Sequence, residues 1–278
     1  MQHYHTTSPR HDAGFTLIEL AVVLVVIGLV TAGVVVGRTM IRAAEVREAM
    51  SEYGRYVQAI GEFKDKYRAL PGDLRNATEY WGDNGSCPEG TISIRGTATC
   101  NGNGDGIIGT SDGLGMYKSD VGTALEWFTA WQQLANAGFI EGLFTGSRWT
   151  VGTRQSWPGM NVPTSKLTRG GWSIFYYSSA ATTADLRTGY GPYGHILALG
   201  AASSSADEPT IYPVLSPQEA REIDTKMDDG IPSLGTIRSM RKGNSYTTSC
   251  IATDANPNTD TYATGTSIDC ALLFITNF

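Results

Sequence analysis

The chain has 278 residues, 41% hydrophobic and 17% charged, with 33 glycines, 13 tyrosines and a net charge of −6. That length can bury a sizeable core, and the glycine, tyrosine, serine and threonine content reads as a β-rich, turn-rich chain suited to an extracytoplasmic surface. The acidic balance argues against general nucleic-acid binding, which draws on a basic surface; the small Arg238/Arg241/Lys242 cluster reads as a solvated turn.

Residues 1–14 form a polar leader whose His3, His5 and His11 read as part of a discarded segment rather than a metal tract. From Phe15 to Gly37 runs an apolar stretch of 23 residues interrupted by one charge, Glu19. As a helix this run spans roughly 35 Å at ~1.5 Å per residue, enough to cross a bilayer. A carboxylate in such a helix implies a partner. If the chain were cut between Gly14 and Phe15, the new α-amino group would lie close to Glu19. A secretory signal would have a shorter apolar region and a small-residue cleavage site beyond it. A plain anchor would not need Glu19. Arg10 on one side and Arg38, Arg42 and Arg47 on the other leave the orientation open.

Gly14-Phe15-Thr16-Leu17-Ile18-Glu19 resembles the type IV prepilin signal. The resemblance implies that prepilin peptidase cuts after Gly14 and that the new N-terminal Phe15 is methylated. It also implies that Phe15 and Glu19 serve assembly, the Glu meeting the N-terminus of a neighbouring pilin or pseudopilin subunit. On the same grounds the precursor is expected to cross the inner membrane once with its head in the periplasm. From an inner-membrane assembly platform it would then join a periplasmic or cell-surface filament.

Beyond Gly37 the helix is expected to continue to residue 68. Val46, Met50, Tyr53, Val57, Ile60, Phe63 and Tyr67 recur at helical steps, while Arg42, Glu45, Arg47, Glu48, Glu52, Arg55 and Glu62 fill much of the remaining surface. The helix ends before Pro71-Gly72. The expected division is leader 1–14, membrane half 15–37, amphipathic half 38–68 and head 69–278.

Cys87, Cys100, Cys250 and Cys270 lie outside the apolar run and form no CxxC. In an exported chain they read as two disulfides. Three connectivities are open, and neighbour pairing, Cys87 with Cys100 and Cys250 with Cys270, closes a short loop within each composition block. The second pair also resembles the disulfide-bounded C-terminal loop of many pilins.

Asn101, Asn103, Asp105, Ile107 and Asp112 fall at ligand positions of a calcium loop, with Gly106 at the turn and Ile108 at the apolar position. Asn at the first position and Asp at the last weaken the set, and a Gly/Asn turn uses the same residue types. No cofactor is required by these patterns; calcium is the ion the spacing fits. Gly109–Gly113 matches a nucleophile elbow around Ser111, but glycines surround the serine where a strand and helix are needed. His195, in the apolar run HILALG, reads as a packed or surface histidine, and no zinc site is credible.

Residues 120–138 are expected to form a helix with apolar Val121, Leu125, Phe128, Trp131 and Leu134; Trp127, Phe128 and Trp131 read as core rather than a sugar platform. WSIFYYS at 172–178, HILALG at 195–200 and the final ALLFITNF read as strands of an antiparallel sheet. Ser216-Pro217-Gln218-Glu219 opens a helix with a capping box. At its end Asp224 and Asp228 read as solvated carboxylates, a second cation site being the rival.

The expected fold is α+β and pilin-like: one long N-terminal helix, membrane-spanning in its first half, packed against an antiparallel sheet head. The resemblance implies a non-enzymatic filament subunit. The alternative is a membrane-anchored exported enzyme or ligand-binding domain that does not polymerise.

Overall fold

The computed structural model describes residues 15–85, 87, 96–109, 126–147, 156–177, 194–202, 209–239, 250–252 and 258–278. The leader with Gly14, and also Ser111, Asp112, Val121, Leu125, Arg241 and Lys242, lie outside these residues. Two units divide the chain, Met1–Ala44 and Glu45–Phe278. The first contains the apolar part of α1 (Leu17–Tyr67), whose large apolar side chains from Phe15 to Ile41 are exposed. By length and composition α1 can cross a membrane. Thr31 and Thr39 do not interrupt it, because their hydroxyls donate back to the carbonyls of Ile27 and Val36 at 2.9 and 2.8 Å. No polar group on these two side chains is left for an apolar medium to penalise.

In the second unit the described elements are the rest of α1, α2 (Ala77–Trp81), α3 (Glu126–Asn136), β1 (Gly170–Tyr177), β2 (Gly194–Ala201), α4 (Pro217–Met227), β3 (Ile237–Ser239) and β4 (Leu272–Thr276). The four strands form one antiparallel sheet in the order β1-β2-β4-β3. The architecture is α+β, with a long N-terminal helix and an antiparallel sheet, as the sequence indicates. Val46, Ile60 and Phe63 of the expected stripe are buried, and Met50, Tyr53, Val57 and Tyr67 are partly buried against the core. Tyr53 stacks on Phe274 of β4 at 4.6 Å, and Tyr56 meets Trp172 of β1 edge-on at 5.7 Å. These offset and edge-on contacts join α1 to the sheet through the favoured aromatic geometries.

One expectation about this helix is corrected. Glu52 does not lie on the solvated face; it is 3% exposed. Its Oε2 accepts from Ser165 Oγ at 2.6 Å and Trp172 Nε1 at 2.9 Å, and its Oε1 from the Lys166 N–H at 2.9 Å. Three donors from β1 and the segment before it replace the water that a carboxylate loses on burial.

The helix α3 is buried on nearly all sides, from Glu126 through Leu134. Trp127, Phe128, Trp131 and Leu134 are core residues, as the sequence suggests. Its polar residues serve loops. Gln132 Nε2 donates to the carbonyls of Gly96 and Ala98 at 2.9 and 3.0 Å. Gln133 accepts from the Gly72 N–H at 2.7 Å and donates to the Cys100 carbonyl at 3.2 Å. With Gln132 and Gln133 bonded to backbone groups, the helix can sit in a core while pairing the loop carbonyls of Gly96, Ala98 and Cys100. α4 starts with both bonds of the expected capping box, Ser216 Oγ accepting from Glu219 N and Glu219 Oε2 from Ser216 N.

Candidate functional site

At the entrance to α1, Thr16 and Glu19 form a second capping box. Glu19 Oε2 accepts from the Thr16 N–H and from its hydroxyl, both at 2.8 Å, and the Glu19 N–H donates to Thr16 Oγ1 at 3.3 Å. The carboxylate thus satisfies a backbone donor at the first turn and sits at the positive end of the helix dipole. Sequence reasoning reads Glu19 only through the cut N-terminus and assembly; the pattern Thr-x-x-Glu, like Ser-Pro-Gln-Glu at α4, is the signal that could have shown this local role. Phe15 is 84% exposed beside it.

The segment 101–109 is held by hydrogen bonds from within the loop and from distant residues. Asn101 Oδ1 accepts from the Thr78 N–H at 2.9 Å. Asn103 Oδ1 accepts from the Asp105 N–H at 2.8 Å, and Asp105 Oδ1 from the Ile107 N–H at 2.9 Å. Two acids that spacing does not reveal complete the arrangement. Asp73 takes the N–H groups of Asp105 and Gly106 on its two oxygens at 3.0 and 2.9 Å. Glu126 takes those of Asn103 and Gly109 at 3.0 and 2.8 Å. His195 Nε2 accepts the Ile108 N–H at 3.1 Å, and Ile108 is fully buried. Gly109 has no room for a side chain, since a Cβ would stand 2.4 Å from Trp127 Nε1.

Burial sets the electrostatics here. It pushes Glu126 up to about 8, against the pull of its two N–H bonds, while Asp73 and Asp105 add like charge. Asp73 is raised by the same cause. Burial and the nearby Lys64 bring His195 down to about 4, so this histidine is neutral at ordinary pH, a packed residue on β2. Asp105 stands exposed within this set. Asn103, Asp105 and the Ile107 carbonyl are therefore brought to one loop, and Asn101 is turned toward α2.

Asp224, Asp228 and Asp229 each offer an oxygen within 4.8 Å of the others. Contrary to the expectation of a solvated helix end, Asp224 is fully buried. It accepts from Tyr262 Oη at 2.8 Å and the Gly230 N–H at 3.1 Å, and burial raises it to about 6. Asp228 accepts from the Ile237 N–H at 2.8 Å and Asp229 from that of Ile231 at 2.8 Å. All three serve the turn that carries α4 into β3.

Cys87 is bonded to Cys100 and Cys250 to Cys270, with Cα–Cα distances of 5.6 and 5.1 Å. The first bond holds the segment leading into the 101–109 loop. The second precedes β4, where Cys270 bridges to Leu215.

Residues 9–35 match the prokaryotic N-terminal methylation motif. With it the chain carries the signature of type IV pilins and pseudopilins, whose precursors are processed by prepilin peptidase and assemble with other pilin-type subunits. No curated protein and no solved structure matches the chain at a significant level.

Proposed function

We propose that this chain is the precursor of a structural filament subunit, a minor or specialised pilin or pseudopilin. Prepilin peptidase cuts it between Gly14 and Phe15, the new N-terminus is methylated, and α1 holds the subunit first in the inner membrane and then in the filament. The observation that carries this reading is the methylation motif running into a helix whose apolar side chains are exposed from Phe15 to Ile41. Such a surface calls for lipid or for other helices. The head stands in the periplasm on this reading, and its role is structural rather than catalytic.

Replacing Gly14 and determining the N-terminus by mass spectrometry tests the cut. A mature chain that never begins at Phe15 in the parent, or still begins there in the variant, sinks the reading. Glu19 separates cap from charge. Glu19→Gln keeps an acceptor for the Thr16 N–H and so keeps the helix start, whereas Glu19→Ala loses it. Both variants are expected to be processed normally and to assemble poorly. Normal filaments from Glu19→Gln would leave the carboxylate with its capping role alone.

A further inference from the structure

A cleft of about 430 Å³ opens where α1 ends, lined by Lys64, Tyr67, Arg68, Asp73, Arg75 and Phe278 among others. Its cations are not answered from within the described residues. Arg75 Nη2 donates to the Gly104 carbonyl at 3.2 Å. Lys64 and Arg68 make no side-chain hydrogen bond or ion pair there. Asp73 is the acid in the lining, and it turns both oxygens to the N–H groups of Asp105 and Gly106 rather than to any of the three cations. Neighbouring Lys66 is placed elsewhere, over the rings of Tyr67 and Phe139 at 5.0 and 5.5 Å.

Arg75 is exposed and rests against the 101–109 loop. A Cβ on Gly104 would stand 2.0 Å from Arg75 Nε, so the glycine leaves room for the guanidinium to lie against the loop. One of its donors is engaged by the Gly104 carbonyl, and most of the guanidinium's donors stay available to an oxyanion. Arg68 is set by the backbone, its φ of 57° turning the chain out of the helix at the cleft. In a chain of net charge −6, such a concentration of positive charge is local and concave.

We propose that this cleft binds a phosphate monoester, with Lys64, Arg68 and Arg75 around the phosphate and Tyr67 and Phe278 against the organic part. Three cations, none of them ion-paired with the lining acid Asp73, suit a dianion better than the single charge of a carboxylate. The two guanidiniums can each meet phosphate oxygens in the paired geometry that lysine lacks. The phosphate belongs to a soluble ester or to a lipid headgroup; the chemistry at the cleft is the same.

The test uses the full chain in a nonionic detergent, titrated with inorganic phosphate and followed by NMR of the Gly104 and Gly106 amides. A second arm uses nanodiscs with and without phosphatidic acid. Saturable shifts with phosphate, absent with chloride at matched ionic strength, are expected. Arg75→Gln should weaken binding roughly tenfold or more, the scale of a lost charge-assisted hydrogen bond. Arg68→Gly is the informative variant. Glycine suits a positive φ, so it should hold or raise the thermal midpoint while weakening phosphate binding, which separates a lost cation from a damaged fold. Saturation by soluble phosphate assigns a free ligand; a response confined to phosphatidic acid discs assigns the headgroup. No saturation in either arm, or unchanged binding in both variants, overturns the proposal.

Discussion

The indole Nε1 of Trp172 donates to Glu52 Oε2 at 2.9 Å, joining β1 to the middle of α1 across 120 residues of sequence. Glu52→Ala would leave that indole, the Ser165 hydroxyl and the Lys166 N–H without an acceptor. With about 1–3 kcal/mol for each buried donor so stranded, the loss is expected to be on the order of 3 kcal/mol or more after relaxation. Trp172→Phe removes one donor and leaves the carboxylate two. Chemical denaturation of the two single variants and the double should give a coupling above about 0.5 kcal/mol, the range expected of residues in contact. Additive losses would mean that the bond contributes nothing beyond packing.

Glu126 gives the head an alkaline weakness. Its folded pKa of about 8 stands above the ordinary 4.5. The stability it contributes is therefore complete below pH 4.5 and is lost as the pH rises towards 8. Asp224 works in the same direction between 3.8 and about 6. His195 works oppositely: its contribution is present above 6.5 and lost as the pH falls through about 4. Thermal midpoints measured across this range should decline on the alkaline side, and Glu126→Gln should flatten the part above pH 6. An identical decline in the variant would place its cause elsewhere.

Calcium is the ion proposed for the loop of Asn101, Asn103, Asp105, Ile107 and Asp112. Weak ligands suffice where affinities of roughly 10⁻⁴–10⁻³ M are useful, as in extracellular modules. Millimolar calcium should raise the thermal midpoint, and Asp105→Ala should abolish the increment with little change in calcium-free stability. A cation beside Asp73 and Asp105 would also favour the ionised form of Glu126, so the alkaline decline should shrink in its presence. Equal midpoints with calcium and with chelator, at intact disulfides, would reduce the loop to a glycine-rich turn.

The two disulfides should part under mild reduction. Cys87 is exposed, whereas Cys250 and Cys270 have no accessible surface. Thiolate attack needs access to sulfur, so a folded sample treated with dithiothreitol and alkylated should carry label at Cys87 and Cys100 first. Each bond closes a short loop and constrains the unfolded chain by about 3 kcal/mol. Simultaneous labelling of all four in native buffer would contradict the difference in burial.

Much of the fold is legible because it is local. An unbroken apolar run and a helical stripe give α1, Ser216 to Glu219 give the start of α4, and dense apolar runs give β1, β2 and β4. The three-residue β3 and the five-residue α2 are too short to show a period. Residue type misleads at Glu52, whose charge reads as solvent-facing until its partners are seen more than 100 residues away. The candidate loop was half visible. Asn103 and Asp105 stand at regular spacing, but Asp73 and Glu126 come from 32 and 23 residues away and carry no motif of their own.

The placing of β4 between β2 and β3 sets when the sheet can exist. Phe274 faces Leu197 on one side and Ile237 on the other, and Leu272 faces Leu199 and Ser239. β1 and β2 pair with each other directly, but β3 joins the sheet only through residues 272–276. On the proposed reading, in which the head crosses a membrane, the four-stranded sheet closes only once β4 has followed the other strands across. Until then β2 and β3 lack their common neighbour.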